Sequence, residues 1–84
     1  MRYKIIFAQS AQKELRKIPR LFGLKILRAV ENLAGNPRPT GCKKLADSNS
    51  YRIRISDYRV IYTIKDKELL IDIVKIAHRK EVYR

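Results

Sequence analysis

The sequence predicts an α+β fold, a helical hairpin packed on one face of a mainly antiparallel sheet, in the order β-α-α-β-β-β. Two patterns carry this reading. Between Ala11 and Ala34, apolar residues recur at steps of three and four, which places them on one face of a helix. From Tyr51 onward, apolar and charged residues alternate, as in a strand with one buried face. Helices followed by a run of hairpin strands belong to folds in which the helices cover one side of the sheet. At 84 residues the chain has room for one domain, 1–84. A hydrophobic fraction of 45% supplies a core and sets disorder aside.

Tyr3 to Phe7 (YKIIF) is a β-prone run and forms the first strand. Ala11, Leu15 and Ile18 then recur at i, i+4 and i+7, with Lys13, Glu14, Arg16 and Lys17 set away from them. Pro19 ends this helix or opens the next. The second helix runs from about Arg20 to Ala34, with Ile26, Leu27, Val30, Leu33 and Ala34 as its apolar face. Gly35 falls where a C-terminal cap is expected, before Asn36-Pro37. Asn36 to Ser50 holds two prolines and Gly41 and reads as an ordered loop. Tyr51 to Ile55 and Tyr58 to Ile64 are strands joined by Ser56-Asp57, a two-residue turn without the glycine such turns prefer. Lys65 to Glu68 is a further turn, and Leu69 to Ala77 is the last strand.

A two-residue loop fixes the register of this hairpin. Ile55 pairs with Tyr58, Arg54 with Arg59, Ile53 with Val60, and Arg52 with Ile61. Side chains alternate between faces. Ile53, Ile55, Tyr58 and Val60 therefore share the face the helices cover, and Arg52, Arg54 and Arg59 share the other. Tyr51, Tyr58 and Tyr62 are packing residues on this reading. Like charges directly opposed on neighbouring strands destabilise by up to about 1 kcal/mol. A sequence that only had to fold would seldom set Arg54 against Arg59. Together the arginines make a phosphate-sized positive site, since guanidinium grips phosphate bidentately and keeps its charge. The plainer alternative is a solvated basic face. With Asp66-Lys67 as the next loop, Asp72 lies beside Ile61 and Val74 beside Arg59. His78, the sole histidine, then falls on the arginine face and is a candidate acid or base. Arg79, Lys80 and Tyr83 lie in the tail, and Tyr83 suits base stacking.

Twenty Lys and Arg against eight Asp and Glu give a net charge of +12. Self-repulsion on that scale points to a polyanionic partner. Nucleic acid, an acidic protein and an anionic membrane surface all fit, and nucleic acid gains from counterion release. Cys42 is the single cysteine, so no internal disulfide forms and a reducing compartment is the default. Neither a metal site nor a cofactor is expected. The apolar stretch Ile5 to Ala8 is too short for a signal-peptide core, and no segment nears the roughly 18 apolar residues of a membrane span. The expected location is the cytoplasm, with no membrane partner.

Tyr51-Arg-Ile-Arg-Ile-Ser-Asp-Tyr-Arg-Val-Ile-Tyr62, followed by His78-Arg-Lys-Glu-Val-Tyr83, closely resembles the RelE toxins of bacterial and archaeal toxin–antitoxin pairs. The upstream Asn36-Pro-Arg-Pro-Thr-Gly-Cys-Lys-Lys-Leu45 and the helix segment Lys13-Glu-Leu-Arg-Lys-Ile18 are similar to the family as well. The likeness covers nearly the whole chain. It implies a type II toxin that acts as an mRNA interferase, a metal-independent endoribonuclease that enters the ribosomal A site and inhibits translation. The 2′-hydroxyl attacks the adjacent phosphate and leaves a 2′,3′-cyclic phosphate and a 5′-hydroxyl. The implied partners are mRNA, the ribosome and a cognate antitoxin, whose complex with the toxin can be heterotetrameric.

By position in that pattern, the resemblance assigns catalytic and RNA-binding roles to Arg52, Arg54, Arg59, Arg79 and Tyr83, with Lys80 adding to RNA binding. Relatives can carry lysine where this chain has Arg52 and Arg54. Arginine, with a pKa above about 12, is a poor proton acceptor. These side chains are therefore expected to bind the scissile phosphate, which leaves the base unassigned and His78 as a candidate. Two other readings compete: a ParE-like toxin that inhibits DNA gyrase, and a catalytically inactive RelE-like binding or co-repressor protein. A general nucleic-acid binder ranks below them, because no helix-turn-helix or other reader motif is present.

Overall fold

The computed structural model describes residues 2–45 and 49–79. Its elements are β1 (Lys4–Phe7), α1 (Gln9–Lys17), α2 (Arg20–Leu33), β2 (Lys43–Lys44), β3 (Ser50–Ile55), β4 (Tyr58–Lys65) and β5 (Leu70–His78). The strands form one sheet in the order β1-β5-β4-β3-β2. β1 runs parallel to β5, and the remaining pairs are antiparallel. This is the α+β arrangement the sequence predicts, with both helices on one face.

α1 ends because Pro19 disfavours helical geometry at the residue before it, and Ile18 is extended (φ −82, ψ 136). Pro19 then stands at the N-terminus of α2, where its missing N–H is harmless. Arg16 and Lys17 in the last turn of α1 complement the helix dipole. The end of α2 differs from the glycine cap expected at Gly35. Among the described residues, Gly41 is the glycine with positive φ, and Ala34 remains helical. The reason is a long-range contact: the Tyr3 N–H, just ahead of β1, donates to the Ala34 carbonyl at 2.8 Å. The sheet thus satisfies a terminal carbonyl that a left-handed cap would otherwise serve.

The core lies between this helix pair and the sheet. Ala11, Ile26, Val30 and Leu33 pack on Ile53, Val60, Tyr62, Ile64, Ile71, Ile73 and Ile76. Full burial of each large aliphatic side chain stabilises by roughly 1.5–3 kcal/mol. Tyr62 is wholly buried, and its hydroxyl donates to the Pro37 carbonyl at 2.7 Å. Its ring stacks on that of Tyr51.

Two expectations about the strands need correction. The loop expected over Asn36 to Ser50 contains a two-residue strand, β2, paired with β3. In addition, β5 is out of step with the simple hairpin. The turn after Lys65 spans four residues rather than two, since Lys65 pairs with Leu70. This lengthening alone keeps each face intact. However, Tyr62 pairs with Ile73 while Ile61 pairs with Lys75, leaving Val74 as an extra residue. Such a bulge reverses the face of everything beyond it. The longer turn sets Asp72 opposite Thr63, not Ile61, and the turn and bulge together set Arg59 opposite Ala77, not Val74. His78 is opposite Tyr58 and leaves the arginine face for the helix face.

Candidate active site

The β3–β4 hairpin has the register that its two-residue turn dictates: Ile55 with Tyr58, Arg54 with Arg59, Ile53 with Val60, and Arg52 with Ile61. Ser56 supplies the turn's positive φ, 54°. A non-glycine residue there costs on the order of 1 kcal/mol or more, and such strain collects at functional sites. The open face of the sheet carries two basic rows. One is Lys43, Arg52, Ile61 and Lys75 across four strands. The other is Arg54, Arg59 and Ala77. Asp72, on the same face, is held by Lys65 at 3.4 Å.

Beside the hairpin turn lies a cleft of about 210 Å³ lined by Arg54, Ser56, Asp57, Tyr58, Arg59 and Arg79. Arg79 reaches it because its backbone N–H donates to the Asp57 carbonyl at 2.6 Å, pinning the end of β5 to the turn. Strand parity alone does not place Arg79, which follows the last strand expected from the sequence. Three of the proposed site residues thus meet in one cavity. Arg52 is on the same face, half-buried in the next row, outside the cleft lining. His78 is elsewhere: its ring meets that of Tyr58 edge-on at 5.1 Å, in a shallow pocket with Glu14, Lys17 and Ile18. Lys80 and Tyr83 lie outside the described residues. Ser56 and Asp57, read from sequence only as a turn, are part of the cleft. Their signal was their position between Arg54 and Arg59.

The arrangement is suited to gripping a phosphate. Arg54, Arg59 and Arg79 surround a space large enough for a phosphodiester, and each can donate more than one hydrogen bond to it. Among the described residues, no group of three His, Cys, Asp or Glu side chains is placed to hold a metal ion.

The fold shifts the proton affinity of a second cluster, at the other end of β4. Arg38 lies over the Tyr51 ring and donates from Nε to its hydroxyl at 3.1 Å. Arg38 Nη2 donates to Asp66 Oδ2 at 2.9 Å, and the Tyr3 hydroxyl donates to Asp66 Oδ1 at 2.6 Å. The hydrogen bond from Arg38, followed by that from Tyr3, holds the Asp66 carboxyl below its usual range. The same bond to Asp66, then desolvation, pushes the Tyr3 hydroxyl up. Burial pushes up the Tyr62 hydroxyl. The cluster ties the segment after α2 to the β4–β5 turn. It was not read from the sequence, because its members are scattered over the chain.

A helical hairpin over a five-stranded, mostly antiparallel sheet is the build of solved toxins from type II toxin–antitoxin systems. Residues 5–83 match the model of the family described as ParE toxin of type II toxin–antitoxin system, parDE. The chain belongs to this family, within the RelE/ParE superfamily of toxins. It is 26% identical to a RelE-like toxin protein of Escherichia coli over 95% of this chain and 86% of that protein. It is 27% identical to Toxin RelG of Mycobacterium tuberculosis over 100% of this chain and 99% of that one. The RelE chain of the archaeal RelE–RelB complex from Pyrococcus horikoshii superposes with a TM-score of 0.85 at 30% identity, covering 94% of this chain and 97% of that one. The isolated E. coli RelE toxin superposes with a TM-score of 0.81 at 25% identity, covering 96% and 90%.

Proposed function

We propose that this toxin is an mRNA interferase: a ribosome-dependent endoribonuclease that cuts mRNA by 2′-hydroxyl transesterification and so inhibits translation in the cytoplasm. What carries the reading is the convergence of Arg54, Arg59 and Arg79 on one cleft beside a strained turn. In that cleft the guanidinium groups bind the scissile phosphate and stabilise the charge that builds on it. Each preorganised donor of this kind is worth about two to three orders of magnitude in rate. Arg52 extends the basic track, and Lys80 and Tyr83 contribute to RNA binding from the tail. A cognate antitoxin, acidic or mixed in charge, neutralises the toxin by covering the arginine face. The RelE–RelB complexes among the structural relatives support such a partner.

The test is induced expression of wild type beside Arg59→Ala, with mapping of mRNA 5′ ends. Codon-phased cuts that vanish in the variant are the expected result. A second reading has one observation behind it, the match to a family described for ParE toxins. On that reading the target is DNA gyrase. Growth arrest with inhibited supercoiling and no new RNA ends would establish it in place of RNA cleavage. No arrest at all would point to an inactive binding protein.

A further inference from the structure

Transesterification requires a proton acceptor, and the arginines do not supply one near neutral pH. His78 does not supply it at the cleft either, since the bulge at Val74 turns it to the helix face beside Tyr58. Among the described residues that line the cleft, Asp57 is the one carboxylate. We propose that Asp57 is the general base of this toxin, taking the 2′-hydroxyl proton inside the arginine cleft; the proposal rests on the RNA-cleavage reading above.

Position, restraint and availability support the assignment. Asp57 is the second residue of the β3–β4 turn, so it stands between the strands that present Arg54 and Arg59. Its carbonyl accepts the Arg79 N–H at 2.6 Å, which fixes it against the third arginine of the cleft. The carboxylates of Glu14, Asp66 and Asp72 are each held by a cation. Asp57 is exposed, and among the described residues its carboxylate is in no ion pair. Aspartate is also common in turns for the sake of the turn itself. Here the residue in the left-handed region is Ser56, and among the described residues the Asp57 carboxylate accepts no hydrogen bond that supports the turn.

The step balances without a further reactant beyond water. The 2′ oxygen bonds to phosphorus as Asp57 takes its proton. The P–O5′ bond breaks, and its electron pair leaves on the 5′ oxygen, which water beside Arg79 protonates. Asp57 then returns its proton to solvent. Arg54 and Arg59 hold the non-bridging oxygens throughout.

The test is single-turnover cleavage of a defined mRNA on programmed ribosomes by the full chain, comparing wild type with Asp57→Asn, Asp57→His and Glu81→Gln. Asp57→Asn is expected to cut about 10²–10⁴-fold more slowly. Its half-saturating concentration stays equal or falls, because a negative charge has left a phosphate site. Asp57→His regains part of the rate above about pH 7 and adds an acid limb, losing about tenfold per pH unit below about 6.5, where imidazole protonates. A role limited to shaping the turn gives no such limb, and its absence would overturn the proposal. Asparagine cutting within about threefold of wild type would overturn it too, as would loss with Glu81→Gln but not Asp57→Asn. If wild type fails to cut at all, the RNA-cleavage reading falls with it. If wild type cuts and Asp57→Asn cuts equally well, this inference falls alone.

Discussion

Gathering arginines on one small face should lower stability, and neutralising one of them should restore it. Arg54 is exposed and directly opposite Arg59, with Arg79 in the same cleft. Two unit charges about 6 Å apart in water repel by about 0.7 kcal/mol. Screening at 0.1 M salt, where the Debye length is about 10 Å, cuts this nearly in half. With two neighbours, Arg54→Gln should gain about 0.5–1 kcal/mol, in line with the known penalty for like charges across strands. For a domain of this size that raises the melting midpoint by roughly 2–8 °C. Thermal melts in low salt, 0.15 M and 1 M salt, beside Arg54→Lys, measure it. The gain should shrink toward zero at 1 M, where the Debye length is about 3 Å, and the lysine variant should show little of it. RNA cleavage should fall about 10²–10³-fold in the same protein. A glutamine variant that is no more stable at low salt, or whose gain persists at 1 M, would refute the view that the cluster is held against its own repulsion.

Three further outcomes are expected. His78→Gln should leave cleavage within about threefold of wild type, because the ring sits across the sheet from the cleft; a loss beyond about tenfold would return it to the candidates for the base. Tyr62→Phe should lower stability by about 0.5–1.5 kcal/mol in urea unfolding, since the half-buried Pro37 carbonyl loses its donor at 2.7 Å; an unchanged midpoint would mean that another donor replaces it. Asp66 has a folded-state pKa below its unfolded one, so the stability it contributes is present above about pH 4 and lost as pH falls through the folded value. Unfolding midpoints measured from pH 6 down to 2 should therefore decline less steeply in Asp66→Asn than in wild type, and parallel declines would remove the Arg38–Asp66 cluster from the acid response.

The hairpin that carries the arginines was legible because two signals agreed. The alternation from Tyr51 to Ile55 set the faces, and a two-residue turn left one register available. β2 was not legible, since two lysines give no period and little β propensity. Its pairing is a consequence of β3 offering a free edge. The helix cap at Gly35 failed as an expectation because the cap depends on Tyr3, distant in sequence. The role proposed for Asp57 also rests on position in the fold. In sequence it is a turn residue, and only the backbone bond to Arg79 shows that the turn forms one wall of a cleft.

The bulge at Val74 connects these observations. Ile71, Ile73 and Ile76 are all buried, so the apolar spacing along β5 steps from two to three. That step is the trace a bulge leaves in a sequence, and it accounts for the error over His78. Without the extra residue, His78 would end β5 on the arginine face, and Arg79 would project to the other side by parity. With it, His78 packs on Tyr58, and Arg79 arrives at the cleft with its N–H on the Asp57 carbonyl. Bulges recur beside active sites because one added residue re-aims every side chain after it. In this toxin the exchange replaces a titratable imidazole at the site with a permanent cation. Charge on the cleft arginines then does not change across the physiological pH range, and on the RNA-cleavage proposal proton transfer falls to a group on the turn itself.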